Sequence, residues 1–179
     1  MAGDCCNGLC VGAASLGICT ERCSVYADCN PPGFANRFAC LSVNPQDRLC
    51  VGSDYLQACN LADQCLGQVC LSGRGTSGCS WRCTGHADCP AASACGPIAV
   101  LVNGSVGVIQ ACAPIGNSCT VDSSSGLNDC LSGTCLTEDT GNTGYCTTFC
   151  SLSAAQPCPG GFTCVEVDPS QPPVCVRSL

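Results

Sequence analysis

The sequence contains no lysine; its six basic residues are all arginine, at positions Arg22, Arg37, Arg48, Arg74, Arg82 and Arg177. Charged residues make up only 11% of the chain, and the net charge is −7. Such a chain lacks the positive surface that nucleic acid or an anionic membrane requires, so neither is an expected partner. Aromatic residues are also scarce, at 4%, which excludes a conventional core built on large rings. No apolar run reaches the roughly 20 residues of a membrane-spanning helix. Cys-x-x-Cys and Cys-x-Cys are both absent. Those are the spacings of zinc knuckles and thiol redox sites, so no metal and no cofactor are expected. Nor does the chain open on a basic region and an apolar stretch: Met1-Ala2-Gly3-Asp4 leads straight into Cys5. The expectation is that a leader is removed ahead of Met1 or that the sequence is a portion of a longer chain.

What the chain does have is cysteine, 24 in 179 residues. That is above the range of about 8–10% that marks a disulfide scaffold. The count is even, as complete pairing requires. Disulfides persist only where the surroundings are oxidising, so the expected location is extracellular or on a cell surface. Cross-links are expected to substitute for the missing core.

The cysteines are organised around a repeated Cys-x-x-x-Cys knot that is followed closely by two more cysteines: Cys19–Cys23, Cys79–Cys83 and Cys146–Cys150. Alignment on the knots gives three repeats of eight. The first holds Cys5, Cys6, Cys10, Cys19, Cys23, Cys29, Cys40 and Cys50. The second holds Cys59, Cys65, Cys70, Cys79, Cys83, Cys89, Cys95 and Cys112, and the third Cys119, Cys130, Cys135, Cys146, Cys150, Cys158, Cys164 and Cys175. All 24 are expected to be disulfide-bonded within their own repeat, and Cys5 is not expected to bridge its neighbour Cys6. Self-similarity of this kind signals an array. The expected domains are residues 1–54, 55–115 (with an extended apolar hairpin) and 116–179.

Within a repeat, the region before the knot is rich in Gly, Ser, Thr and Asn and reads as turns. The knot spaces its cysteines i,i+4, as one helical turn or an irregular loop would. Each repeat then ends in an expected β-hairpin: Phe38–Val43 with Leu49–Val51, Ile98–Val102 with Val106–Ile109 about Asn103-Gly104, and Phe162–Val167 with Val174–Val176. Asn-Gly is the strongest short hairpin signal. The fold class is therefore small and disulfide-rich: three tandem eight-cysteine modules of loops and short hairpins, with little helix and minimal core.

The eight-cysteine unit runs Gly-x-Cys, Gly-x-Cys-x-x-x-Cys, an Asp-Cys-Pro-like step, Phe-x-Cys and a final hairpin. It resembles the cysteine-rich repeats of secreted proteins of myxobacteria and related bacteria, and the small Dickkopf- and EB-type disulfide domains of animals. The resemblance covers the whole chain and rests mostly on cysteine spacing. It implies an extracellular, non-enzymatic, structural or interaction role, and it carries over no functional residues.

No catalytic group stands out. His86, the single histidine, has no nucleophile nominated beside it and reads as a polar loop residue. Asp28 and Asp88 recur at one repeat position and read as turn caps, without the dense acidic run of a calcium loop. Asn103-Gly104-Ser105 is a formal glycosylation acceptor at Asn103. From Cys89 through Val121 there is no charged residue, and this stretch holds the most β-prone segment of the chain. Unguarded, uncharged strands template edge pairing. The expected assembly interface is Ile98, Val100, Val102, Val106 and Val108, with Val176 and Leu179 at an end-to-end contact. The functional expectation is an extracellular structural or interaction protein, not an enzyme, that assembles with itself into a filament or surface layer or else pairs with another extracellular protein. The alternative is a soluble secreted binding module, such as a protease inhibitor or an adhesion or ligand-binding domain.

Overall fold

The structure, a computed structural model, describes residues 10–11, 18–30, 38–42, 46–102, 105–137, 141–155 and 157–178. It is a small, disulfide-rich assembly of β-hairpins with almost no helix. The strands are β1 (Cys10–Val11), β2 (Ile18–Cys19), β3 (Phe38–Ser42), β4 (Arg48–Gly52), β5 (Gln68–Gly73), β6 (Thr76–Trp81), β7 (Ser93–Val102), β8 (Ser105–Pro114), β9 (Ser118–Thr120), β10 (Thr134–Thr137), β11 (Thr143–Thr147), β12 (Phe162–Val165) and β13 (Val174–Arg177). One helical turn, α1 (Tyr26–Cys29), and two 3-10 turns, Ala62–Gln64 and His86–Asp88, accompany them. The chain divides into two compact units, Met1–Ser53 and Asp54–Leu179.

Ten disulfides are formed among the described residues, and they follow one rule. In each run of four successive cysteines, the first joins the third and the second joins the fourth. The bonds are Cys23–Cys40 and Cys29–Cys50 in the first unit. In the second unit they are Cys59–Cys70 and Cys65–Cys79, Cys83–Cys95 and Cys89–Cys112, Cys119–Cys135 and Cys130–Cys146, and Cys150–Cys164 and Cys158–Cys175. The geometry recurs as well. First-to-third pairs hold their Cα atoms 5.8–6.0 Å apart, and second-to-fourth pairs 5.3–5.7 Å. Both lie within the ordinary span of a disulfide. Each closed unit thus uses four cysteines, half the period that alignment on the knots suggests.

Each four-cysteine unit is built on a hairpin. Its third and fourth cysteines face each other across the ladder: Cys40 opposite Cys50, Cys70 opposite Cys79, Cys95 opposite Cys112, Cys135 opposite Cys146 and Cys164 opposite Cys175. The opposed cysteines do not bond to each other. Each bonds to a cysteine in the loop ahead of the hairpin, so two disulfides tie that loop to one end of the ladder. Their sulfurs crowd together, with Cys83, Cys89 and Cys112, for example, having sulfur atoms within 4.8 Å of one another. These sulfur pairs form small buried clusters that take the place of an oily core.

Cys10 and Cys19 also oppose each other, in β1–β2; Cys5 and Cys6 lie outside the described residues. Extending the first-to-third, second-to-fourth order by sequence alone joins Cys5 to Cys10 and Cys6 to Cys19. Non-reducing peptide mapping is expected to recover those two bridges beside the ten above, and a Cys5–Cys6 or Cys10–Cys19 bridge would break the rule.

The hairpins placed by Phe38, Asn103-Gly104 and Phe162 form where the sequence reading puts them. The stretches read as turns ahead of the second and third knots are also hairpins, β5–β6 and β10–β11. β9 adds to β11, making that sheet three-stranded. The knot is neither a helical turn nor an irregular loop. It runs extended alongside the following hairpin, with Arg22 bridged to Leu49, Arg82 to Ala111 and Phe149 to Val174.

Among the described residues, one apolar cluster forms beyond the sulfurs. In the second unit, Val69 and Leu71 of β5 pack with Ile98 of β7 and with Ala111 and Ala113 of β8, and Val100, Ile109 and Leu131 lie partly buried against them. Full burial of a side chain of this size contributes about 1.5–3 kcal/mol. β7 also approaches the third knot closely, where a Cβ built on Gly96 would meet the Thr148 hydroxyl oxygen at 1.9 Å. Only glycine leaves room for that contact.

Candidate functional site

Two recurring devices and one that occurs once hold the hairpins, and all three use polar atoms that cysteine spacing does not reveal. The residue after the first knot cysteine is a hydroxyl residue in every repeat: Thr20, Ser80 and Thr147. All three are buried. Thr20 Oγ1 donates to the carbonyl of Cys50, Ser80 Oγ to that of Cys112, and Thr147 Oγ1 to that of Cys175. Each bond ties the knot strand to the last cysteine of its hairpin. Backbone pairing supports it, since Cys23, Cys83 and Cys150 donate their N–H to the carbonyls of Arg48, Gln110 and Pro173. Thr147→Val keeps the shape, deletes the donor and leaves the Cys175 carbonyl short of a partner. It is expected to cost about 1–3 kcal/mol, read as a lower thermal midpoint with the disulfides intact. Ser151→Ala, at an exposed position of the same unit, is expected to change nothing.

The second device is a polar side chain just before the second cysteine of a unit. Asp28 accepts from the backbone N–H of Ser24 and Val25, at 2.6 and 3.0 Å. Gln64 accepts from Asn60 and Leu61, at 2.7 and 3.3 Å. Asp88 accepts from the N–H and hydroxyl of Thr84, at 2.8 and 2.9 Å. Asp129 accepts from the N–H and hydroxyl of Thr120, at 2.9 and 3.4 Å. Asp28 and Asp88 therefore cap the loop that follows the first cysteine. The N–H groups of Val25 and Ser24 hold the Asp28 carboxyl below its ordinary range.

The third device surrounds Trp81, which is 1% exposed. Its ring packs tilted against Tyr55, with centroids 5.0 Å apart, and its Nε1–H donates to the carbonyl of Asp88 at 3.1 Å. The Tyr55 hydroxyl donates to Ser93 Oγ at 2.8 Å. Beside this group, His86 Nδ1 accepts the backbone N–H of Cys95 at 3.1 Å. The single histidine thus ties the 3-10 turn to the start of β7.

These supports carry the longest ladder of the chain. β7 and β8 pair through ten rungs, from Ser93 opposite Pro114 to Val102 opposite Ser105. The base is fixed by Cys83–Cys95 and Cys89–Cys112, by the Arg82–Ala111 bridge and by the cluster beneath. Among the described residues, no third strand pairs with the distal half, from Ile98 to Ile109.

Register decides which side chains that half presents. Alternate residues of a strand point to opposite faces. Ile98 and Val100 share the face of Ile109, whereas Val108, in register with Ala99, and Val106, two residues before it on the same strand, lie on the other. The five strand residues of the expected interface therefore cannot form one surface. Ile98 is 5% exposed and belongs to the core, and Val100 packs against it. Val106 and Val108 are 74% and 70% exposed, and Ala99 is exposed beside Val108. The Val102 side chain, Asn103 and Leu179 lie outside what is described. Val176 is half-buried, opposite Thr163 in the β12–β13 ladder.

The crowded cysteines have metal-like spacing, but every one of them is bonded to another cysteine. The geometry thus defines a class of molecule: a tandem array of four-cysteine β-hairpin units, each stapled at one end by two adjacent disulfides. No protein-family model, curated protein or solved structure matches the chain. No helix among the described residues is long and apolar enough to cross a membrane.

Proposed function

We propose that the chain is an extracellular structural or interaction protein, without a catalytic role, that assembles with copies of itself through the outer face and open edges of the β7–β8 hairpin. The observation that carries this reading is the distal half of the hairpin. It combines strands of ten residues, unpaired edges among the described residues, two valines about three-quarters exposed, and no charge between Cys89 and Val121. Soluble monomers usually guard such strands with lysine, bulges or proline. Here the prolines of the ladder, Pro97 opposite Gln110 and Pro114 opposite Ser93, both lie toward the base and outside the distal half. The rest of the unit suits a scaffold that holds this hairpin rigid: its loops are tied by disulfides at the base and by buried hydroxyls at the knot. Disulfide density is consistent with an oxidising, extracellular setting.

The test is Val106→Lys combined with Val108→Lys. Both positions are exposed, so stability is expected to stay within about 0.5 kcal/mol of the parent. Assembly, followed by sedimentation velocity, is expected to disappear. Val100→Lys places the same charge on the inner face and is expected to destabilise the fold instead. A double variant that associates like the parent would exclude this face as the joint.

A further inference from the structure

A polar cleft of about 540 Å³ lies over the β9–β11 ladder of the second unit, lined by Ser118, Thr120, Asp129, Thr143, Tyr145 and Arg177 among others. Its volume falls within the range of small-molecule sites, about 300–1,000 Å³. The floor is two rungs of the β9–β11 ladder, Ser118 opposite Tyr145 and Thr120 opposite Thr143. All four residues stand on one face and all four carry hydroxyls. The two ends are charged and opposite in sign, and both are held in place. At one end Asp129 is fixed by the N–H and hydroxyl of Thr120, and its own carbonyl accepts from the Thr76 hydroxyl at 3.2 Å. At the other end the Arg177 guanidinium lies over the Tyr145 ring, 4.8 Å from its centroid. It also donates from Nη2 to the Gly116 carbonyl, while the Arg177 backbone N–H donates to the Tyr145 hydroxyl at 3.3 Å. Exposed arginines ordinarily carry considerable rotamer freedom. This one is oriented, with donors of its fork left over for a ligand.

We propose that this cleft binds a carboxylated pyranose, a hexuronate, with its carboxylate on the Arg177 guanidinium and its ring hydroxyls on Ser118, Thr120, Thr143 and Asp129. The guanidinium fork matches a planar carboxylate. A carboxylate at the opposite end accepts hydroxyl protons. Asp129 sits at Thr120 of one rung and Arg177 at Tyr145 of the other, so the floor hydroxyls lie between the two charges. An inorganic anion would use Arg177 and meet only repulsion from Asp129. None of these residues belongs to β7 or β8, so the site stands apart from the assembly face, and either can fail without the other.

The test titrates the full oxidised chain with D-glucuronate, D-glucose and acetate, each alone, following the amide signals of Ser118, Thr143 and Tyr145 and the Arg177 side-chain signal by NMR. Glucuronate is expected to give saturable shifts at these residues, with glucose and acetate at least about tenfold weaker. Arg177→Gln and Asp129→Asn are each expected to raise the Kd at least about fivefold, as the loss of a charge-assisted bond implies. Thr143→Val is an exposed change that touches neither charge. It is expected to weaken binding about two- to fivefold, which keeps the test decisive if a charge variant misfolds. Absence of a saturable response to glucuronate overturns the proposal, and so does acetate binding as tightly as glucuronate.

Discussion

Replacing Trp81 with alanine is expected to cost about 3–5 kcal/mol, the usual range for deleting a buried indole. Among its described residues the second unit has one small apolar cluster besides its sulfurs, and Trp81 is among its largest fully buried side chains. The substitution also leaves the Asp88 carbonyl without the Nε1 donor and Tyr55 without its ring partner. Asp88 in turn caps the loop that the Cys83–Cys95 and Cys89–Cys112 bonds close. In a domain of this size, a loss of that magnitude lowers the thermal midpoint by roughly 10 °C. Differential scanning calorimetry with the disulfides intact measures it. A midpoint within about 1 °C of the parent would mean that the disulfides alone set the stability of the unit and the indole is incidental.

The paired substitution Cys89→Ala with Cys112→Ala is expected to be of similar size. Its sequence separation of 23 is the longest among the ten bonds, and closing a loop of that length is worth about 3 kcal/mol in chain entropy. Cys112 is fully buried beneath the hairpin, so packing loss adds to the entropic term. The position of the bond matters more than its length. With Cys83–Cys95 it anchors the base of β7–β8, and without it the distal strands depend on that one disulfide and the apolar cluster. Hydrogen exchange is expected to quicken along β7 and β8 while β10–β11 keeps its protection. Removing Cys150–Cys164, with separation 14, is expected to leave the β7–β8 amides unaffected. Uniform loosening of the whole unit by either pair would show that the four-cysteine units do not hold their hairpins independently.

The sequence makes some of these elements legible and hides others for physical reasons. The hairpins at Phe38, Ile98 and Phe162 show because β-branched residues flank Pro- or Gly-containing turns, which is the local chemistry of a hairpin. The β5–β6 and β10–β11 hairpins do not show, because their strands carry Gly, Ser and Thr and little apolar alternation. Their order comes from disulfides and from β9 or linker pairing, such as Leu56 and Gln57 against Cys79, none of which leaves a periodic trace. The knot attracts attention as a unit, yet Cys79 closes one disulfide group and Cys83 opens the next. Alignment in eights therefore sets Gln64 and Asp129 out of register with Asp28 and Asp88, although all four do the same work. A four-cysteine alignment would have exposed that polar position, and the hydroxyl at Thr20, Ser80 and Thr147 stands in plain view beside each knot. The missing charge marks the β7–β8 hairpin in the sequence, but composition cannot assign its faces. Register does that, moving Ile98 and Val100 inward and leaving Val106 and Val108 outside.

The most direct measurement is sedimentation velocity of the oxidised protein across a range of concentrations, with the Val106→Lys, Val108→Lys double variant run beside it. Self-assembly predicts that the parent grows with concentration beyond its 18.0 kDa monomer, while the variant stays at that mass with the same disulfide map. A parent that remains an 18.0 kDa monomer at every concentration would contradict the assembly proposal outright.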